Sequence, residues 1–351
     1  MFNFRLKTPI LFLIFNRPAE TARVFEAIRK QRPRKLFVAA DGARPDRAGE
    51  SILVQKTRDI ISLVDWPCEV KTLYRDTNLG CGLAVSRAIS WFFEQVEEGI
   101  ILEDDCLPHP DFFRYCETLL VRYRHEPRVA TIGGTHPLPG NLPHEHSHYV
   151  SKYFQMWGWA TWRRTWELYD YNLSKLSPED CSKLLQATHP IAVECKYWTE
   201  IYNALKAGAI DTWDFQMFFS AWRTGGNHVM PGRNLVSNIG YGATATHTNF
   251  SSDLAQMPSC PLKVDPQPVA LTPDPMLDNI IFYRRFLDSL SHTYWLEQVI
   301  SPDQHLGDLR NELAKQNRLV SQLKIEVNEK RRQLLAATKA LTRIENARIL
   351  A

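Results

Sequence analysis

The sequence predicts an α/β fold: a mostly parallel sheet with helices on both faces, followed by a C-terminal coiled-coil helix. Three observations carry this expectation. Short apolar runs alternate with helical patterns through residues 9–133, as βαβ units do. The apolar share, 44% of 351 residues, supplies a substantial core and excludes disorder for most of the chain. Near the end, apolar residues recur every seven positions.

The first strand, Pro9–Phe15, stops at Asn16-Arg17-Pro18, where Pro suits the first turn of a helix over 19–31. Strands follow at Lys35–Ala40, Glu69–Tyr74, Gly99–Glu103 and Arg128–Gly133, separated by helices at 50–64, 82–97 and 110–124. The apolar runs imply strands covered on both faces. The run Ile10–Phe15 is too short for a signal peptide or a membrane span. Residues 135–250 are rich in Trp, His and Gly and only weakly periodic. A Pro-rich linker or surface-hugging extension follows, then a short helix over 276–298.

Leu306, Leu313, Val320, Val327, Leu334 and Leu341 form one heptad seam, and Leu309, Leu323, Ala337 and Ile344 most of a second. Gln316 and Lys330 interrupt that second seam. A coiled coil over 301–351 and a homo-oligomer follow; the alternative is one long helix folded back on the body. This segment holds 10 basic and 6 acidic side chains, a surplus suited to peripheral contact with anionic lipid. The first 300 residues carry 32 basic against 33 acidic, too even for the basic face that nucleic acid requires. Seven scattered Cys without CxxC spacing point to a reducing, cytoplasmic setting.

In a parallel sheet, ligands bind beyond the carboxyl ends of the strands. Four strands deliver polar groups there: Asn16-Arg17, Asp41-Gly42, Asn78, and Glu103-Asp104-Asp105. Three carboxylates closing an apolar strand call for a counter-charge, and a divalent cation bridging to a diphosphate supplies it. Asn78-Leu79-Gly80-Cys81-Gly82 opens the next helix. Its glycines would let backbone approach a ligand, and the helix N-terminus would offer N–H groups to an anion, unless the segment is a plain tight turn. Arg17 would contact a nucleotide or lie on the surface, and Asp41 would bind or simply turn the chain. The loop His144-Glu145-His146-Ser147-His148 alternates His but has the composition of an exposed loop.

These residues carry a resemblance. Pro9-Ile10-Leu11 through Asn16-Arg17-Pro18, Ala40-Asp41-Gly42, Leu102-Glu103-Asp104-Asp105 and Pro110-Asp111-Phe112-Phe113 resemble the GT-A-fold nucleotide-sugar transferases. More narrowly they are similar to the N-acetylglucosaminyltransferase I family and its bacterial relatives. The similarity continues through Phe154–Trp166, Trp213-Asp214-Phe215 and Asn238-Ile239-Gly240 to His247, covering about residues 9–250. It implies a nucleotide-sugar half over 1–135 and an acceptor half over 136–250. Arg17 and Asp41 would hold the uridine end, with Asn78 a further nucleotide contact. Asp104 would lie at the ribose and Glu103 near the sugar. Asp105 would ligate Mn²⁺ or Mg²⁺, with His247 at the metal or diphosphate. Asp214 falls where the family keeps its general base. The family has two adjacent acids there and this chain has Asp214-Phe215, so Asp211 is the second candidate.

Inverting transfer needs one carboxylate to take the acceptor's hydroxyl proton, and a carboxylate among Trp198, Trp213, Phe215 and Trp222 suits that role. Trp157, Gly158 and Trp159 are the acceptor-binding candidates; core packing is the alternative for the aromatic residues. The expected activity is a metal-dependent, inverting glycosyltransferase moving a sugar from a UDP-sugar to a glycan, glycolipid or polysaccharide. Its rivals are an inactive nucleotide-sugar-binding scaffold and a nucleotidyltransferase. Against the second, Ile10–Pro18 lacks the glycines of a triphosphate loop.

Overall fold

Residues 6–138, 146–240, 256–267 and 269–287 are described here from a computed structural model of the chain. The chain divides into two compact units, Met1–Trp295 and Leu296–Ala351. All described residues belong to the first; the heptad segment and residues 288–298 of the predicted 276–298 helix lie outside them.

The first half of the chain alternates as predicted. β1 (Ile10–Ile14) is buried at every residue, because it pairs in parallel with β2 (Lys35–Ala40) on one side and β4 (Glu98–Glu103) on the other. β3 (Glu69–Tyr74) extends the parallel run beyond β2. Connecting them are α1 (Pro18–Gln31), α2 (Glu50–Asp59) and α3 (Cys81–Phe93). α1 starts on Pro18 and ends at Arg32, whose φ of 47° is the left-handed stop commonly found after a helix. After β4 come a short β5 (Cys106–Pro108), α4 (Pro110–Tyr123) and β6 (Val129–Gly133).

The weakly periodic middle contains more structure than its pattern announces. It forms β7 (His148–Ser151), β8 (Trp159–Trp162), α5 (Arg163–Trp166), α6 (Pro178–Thr188), α7 (Ala192–Lys206), α8 (Asp214–Arg223), β9 (Asn227–Pro231) and β10 (Val236–Asn238). β6 does not lie beside β4. β8 enters between them, antiparallel to both, giving an eight-stranded mixed sheet in the order β3-β2-β1-β4-β8-β6-β9-β7. β10 pairs antiparallel with β5 and carries Asn238–Gly240 back to the acidic strand end.

The Pro-rich extension hugs the body: the Leu262 N–H donates to Asp111 at 3.0 Å and the Cys260 N–H to the Asn234 carbonyl at 2.8 Å. α9 (Pro275–Phe282) follows, and Tyr283–Leu287 widen into one π-helical turn. Its Phe286 packs on a buried aromatic cluster around Trp198, with ring centroids 5.1 Å apart. Beside this cluster the buried Lys152 Nζ meets Glu194 at 2.8 Å, and Asp278 of α9 accepts from Ser151 Oγ at 2.5 Å. The α9 segment is thus held by both apolar packing and buried polar bonds. Among the described residues no helix is long and apolar enough to cross a membrane.

Two buried histidines make the fold sensitive to acid. Burial depresses the pKa of His148 to about 4 and that of His228, whose ring stacks on Phe154 at 4.6 Å, to about 3. A histidine held neutral contributes stability that is complete above its unfolded pKa of about 6.5 and is lost as pH falls towards the folded value. Urea midpoints measured from pH 6.5 down to 4 should show this loss, and His228→Phe should flatten the slope by up to one proton.

Candidate active site

The four parallel strands β1–β4 lead into one cavity of about 360 Å³, β3 through Arg75. β1 leads into Phe15, Asn16 and Arg17, β2 into Asp41, and β4 into Glu103, Asp104 and Asp105. The Asn78–Cys81 loop ahead of α3 closes another side.

Arg17 Nη1 lies 2.5 Å from Asp105 Oδ2 and 3.9 Å from Asp104 Oδ1, with all three side chains only 11–15% exposed. Burial pulls the Arg17 pKa down, but Asp104 and Asp105 outweigh it and hold the guanidinium charged. Asp104 Oδ2 accepts the Phe15 N–H at 3.0 Å. No described residue donates a hydrogen bond to the Glu103 carboxylate, which lines the cavity. Burial, then the charges of Asp105, Asp104 and Asp214, push its pKa well up; burial and Asp105 likewise raise that of Asp104.

Three carboxylates facing one guanidinium leave an excess of negative charge, which a divalent cation fits. Among the described residues no three His, Cys, Asp or Glu side chains form a ready ligand set. Of the three acids, Asp105 is the one expected from the sequence to hold a cation. Arg17, expected at the uridine end, sits instead with the acids. His247 lies outside the described residues. The chain does pass the acids at Gly240, where an added Cβ would lie 2.1 Å from Asp105 Oδ2 and 2.7 Å from Arg17 Nη1.

Asp41 offers a vacant acceptor. Its Oδ2 takes the Leu79 N–H at 2.8 Å, whereas Oδ1 is buried without a partner. Burial raises the pKa of this carboxyl against the pull of the Leu79 bond. Asn78 lines the cavity but is occupied, donating to the Gly42 carbonyl at 2.8 Å and accepting from the Gly80 N–H at 3.2 Å.

Sequence reasoning overlooked Arg75, which follows β3, lines the cavity, and makes no hydrogen bond or ion pair through its guanidinium with any described residue. The strand-end rule that found Asn78 would have found it. It also overlooked Glu50, which is 5% exposed. Glu50 takes a hydrogen bond from Asn16 at 2.8 Å and pairs with Arg44, whose hydrogen bonds hold the carboxyl below its usual range.

Three expectations need correction. The first N–H groups of α3 are not offered to a ligand: those of Cys81 and Gly82 donate to the two oxygens of Asp211, each at 2.9 Å. Gly80 and Gly82 accordingly make room for that carboxylate and its neighbours. A Cβ at Gly80 would lie 2.6 Å from Asp211 Oδ2, and one at Gly82 2.6 Å from the Tyr171 hydroxyl. Trp159 is no acceptor contact, being fully buried in β8 and stacked on Trp213 at 5.6 Å. Trp157 lines the cavity, with Arg285 over its ring at 5.1 Å, and Gly158, at φ 66°, turns the chain between the two tryptophans.

Asp214 is the first residue of α8. Its Oδ1 accepts from the Thr212 hydroxyl and, at 2.8 Å, from the Phe215 N–H. Its charge reaches Glu103.

No family model matches this sequence, and no curated protein matches it. Among solved structures it is similar to residues 1–349 of S. aureus TarS, at 10% identity and a TM-score of 0.33, over 66% of this chain and 60% of that one. The chain thus spans less than two thirds of the TarS chain. A UDP-glucose pyrophosphorylase complexed with UDP-glucose aligns over 64% of this chain and 90% of its own, at 11% identity and a TM-score of 0.34. For the 4-diphosphocytidyl-2C-methyl-D-erythritol synthase of Anaerococcus prevotii the shares are 70% and 95%, at 11% identity and a TM-score of 0.32.

Gly80 combines a φ of 80° and ψ of 163°, a region open essentially to glycine alone, with the Asp211 clash. Gly80→Ala should therefore cost about 2–3 kcal/mol in urea unfolding, whereas Gly208→Ala, at φ 67° with nothing within 4 Å of the added carbon, should cost about 1 kcal/mol.

Proposed function

We propose that this chain is a metal-dependent, inverting glycosyltransferase that moves a sugar from a UDP-sugar to a glycan, glycolipid or polysaccharide acceptor. The observation that carries the reading is the gathering, in one cavity, of the vacant Asp41 acceptor, the Glu103–Asp105 acids and Arg17, with Asp214 within electrostatic reach of Glu103. The resemblance to the N-acetylglucosaminyltransferase I family makes UDP-N-acetylglucosamine the first donor to try.

Asp41 and Arg75, whose charges attract one another, receive the nucleoside end, the one through its unpartnered oxygen and the other through its guanidinium. Asp105 would hold a Mn²⁺ or Mg²⁺ ion, which when bound would supply charge stabilisation to a departing diphosphate. Arg17 adds fixed positive charge beside the same oxygens. Trp157 offers an apolar face on which a sugar ring can pack.

Asp214 is the general base. As the acceptor oxygen attacks the anomeric carbon from the face opposite the diphosphate, its proton passes to Asp214. The bond from the anomeric carbon to the diphosphate oxygen breaks, and its electron pair leaves with UDP. Thr212 and the Phe215 N–H fix the carboxylate's orientation for that transfer.

Calorimetric titration of UDP with and without Mn²⁺ tests the donor site. Binding should require the metal and weaken at least tenfold in Asp105→Ala; no binding under either condition would overturn the reading. Asp214→Asn should keep UDP affinity and lose about 10²–10⁴-fold in transfer rate, the usual worth of a positioned base. A protein that binds UDP but hydrolyses or transfers no sugar from any donor would instead be a nucleotide-sugar-binding scaffold.

A further inference from the structure

We infer that Asp211 is a positioning residue, one carboxylate that joins the nucleotide wall of the cavity to the segment bearing Asp214. The inference rests on the proposed base role of Asp214 and extends it to Asp211, which lines the cavity but has both carboxylate oxygens taken by the α3 amides.

The geometry is a continuous chain of short contacts. Asp41 Oδ2 takes the Leu79 N–H at 2.8 Å, and Asn78 ties the same loop to Gly42. Two residues on, the Cys81 and Gly82 N–H groups converge on Asp211 from a position 129 and 130 residues distant in sequence. Thr212, the next residue, binds Asp214 through its hydroxyl and takes the Gln216 amide on its carbonyl at 2.9 Å. The two sides touch directly as well, since a Cβ at Gly82 would stand 2.7 Å from the Thr212 carbonyl oxygen.

α3 buries Ala84, Ala88, Ile89, Phe92 and Phe93. On the other side, Ala207–Ile210 between α7 and Asp211 is mostly exposed, while Trp213, stacked on Trp159 and bonded through its carbonyl to the Tyr169 hydroxyl at 2.9 Å, ties the start of α8 to the core. Asp211 is the side chain that ties this same segment to the donor wall. A carboxylate across two adjacent helix amides is a rigid, charge-assisted clamp. A misplacement of about 1 Å at a reacting group is enough to cost about 10²-fold in rate.

Asp211→Asn tests this, because its amide NH₂ must oppose one of the two N–H groups. Gly82→Ala disturbs the same clamp from the other side without altering its charge. Both should keep the UDP dissociation constant and the donor KM within about threefold of the parent protein while kcat falls at least tenfold. Hydrogen–deuterium exchange supplies a readout apart from activity. UDP with Mn²⁺ should slow exchange in peptides covering 78–84 and 207–216 of the parent protein, and in the variants only the first.

Unchanged kcat in both variants would reduce Asp211 to a helix cap and overturn the inference. So would a parallel loss of UDP affinity and kcat, which would make Asp211 a donor-binding residue. If Asp214→Asn retained full turnover, the base assignment itself would fall; ligand-dependent protection of 207–216 that is lost in the variants would then still establish the clamp.

Discussion

Three carboxylates stand at the end of a strand buried on both faces, and one guanidinium answers them. That imbalance organises the molecule around the cavity. β4 delivers the acids because it is central, with β1 on one side and β8 on the other, so its carboxyl end opens only into the cleft. Arg17 reaches them because β1 stops one turn short of α1 and sets the guanidinium across the sheet edge. The β5–β10 ribbon returns the chain so tightly that only glycine fits at position 240. Each arrangement would be costly in a protein that had no use for concentrated charge, since desolvated carboxylates destabilise a fold unless something compensates them.

The parallel half was legible because its strands are covered on both faces and read as unbroken apolar runs between clear helices. The other half was not, and the reasons are specific. β8, Trp159–Trp162, and β9, Asn227–Pro231, mix aromatic, polar and Pro residues whose burial depends on partners far away in sequence. The entry of β8 between β4 and β6 could not be read at all, because the pattern of β6 is the same whichever neighbour it takes.

The site divides along the same line. Acids at strand ends were visible because topology alone sends them to the cleft. What the glycines near α3 accommodate was not, since Gly80 and Gly82 look the same whether a phosphate or Asp211 approaches them. Trp157 and Trp159 are two residues apart, yet the turn at Gly158 sends one to the cavity and the other to the core. Arg75 went unnoticed because one arginine after a strand is common; what sets it apart is its place in the cavity beside the charge of Asp41, which only coordinates reveal.

The late arrival of β8 also bears on how the chain is made. As the polypeptide leaves the ribosome, β1 to β4 can pair in order, each new parallel strand finding its neighbour already present. The outer edge of β4, running through Gly99, Ile100 and Ile101, then waits unpaired until residues 159–162 have been synthesised. An apolar strand edge exposed in a growing chain is a template for pairing with other chains. The insertion that gives this sheet its mixed character therefore also marks the stage of biosynthesis at which the protein most needs shielding from its own copies.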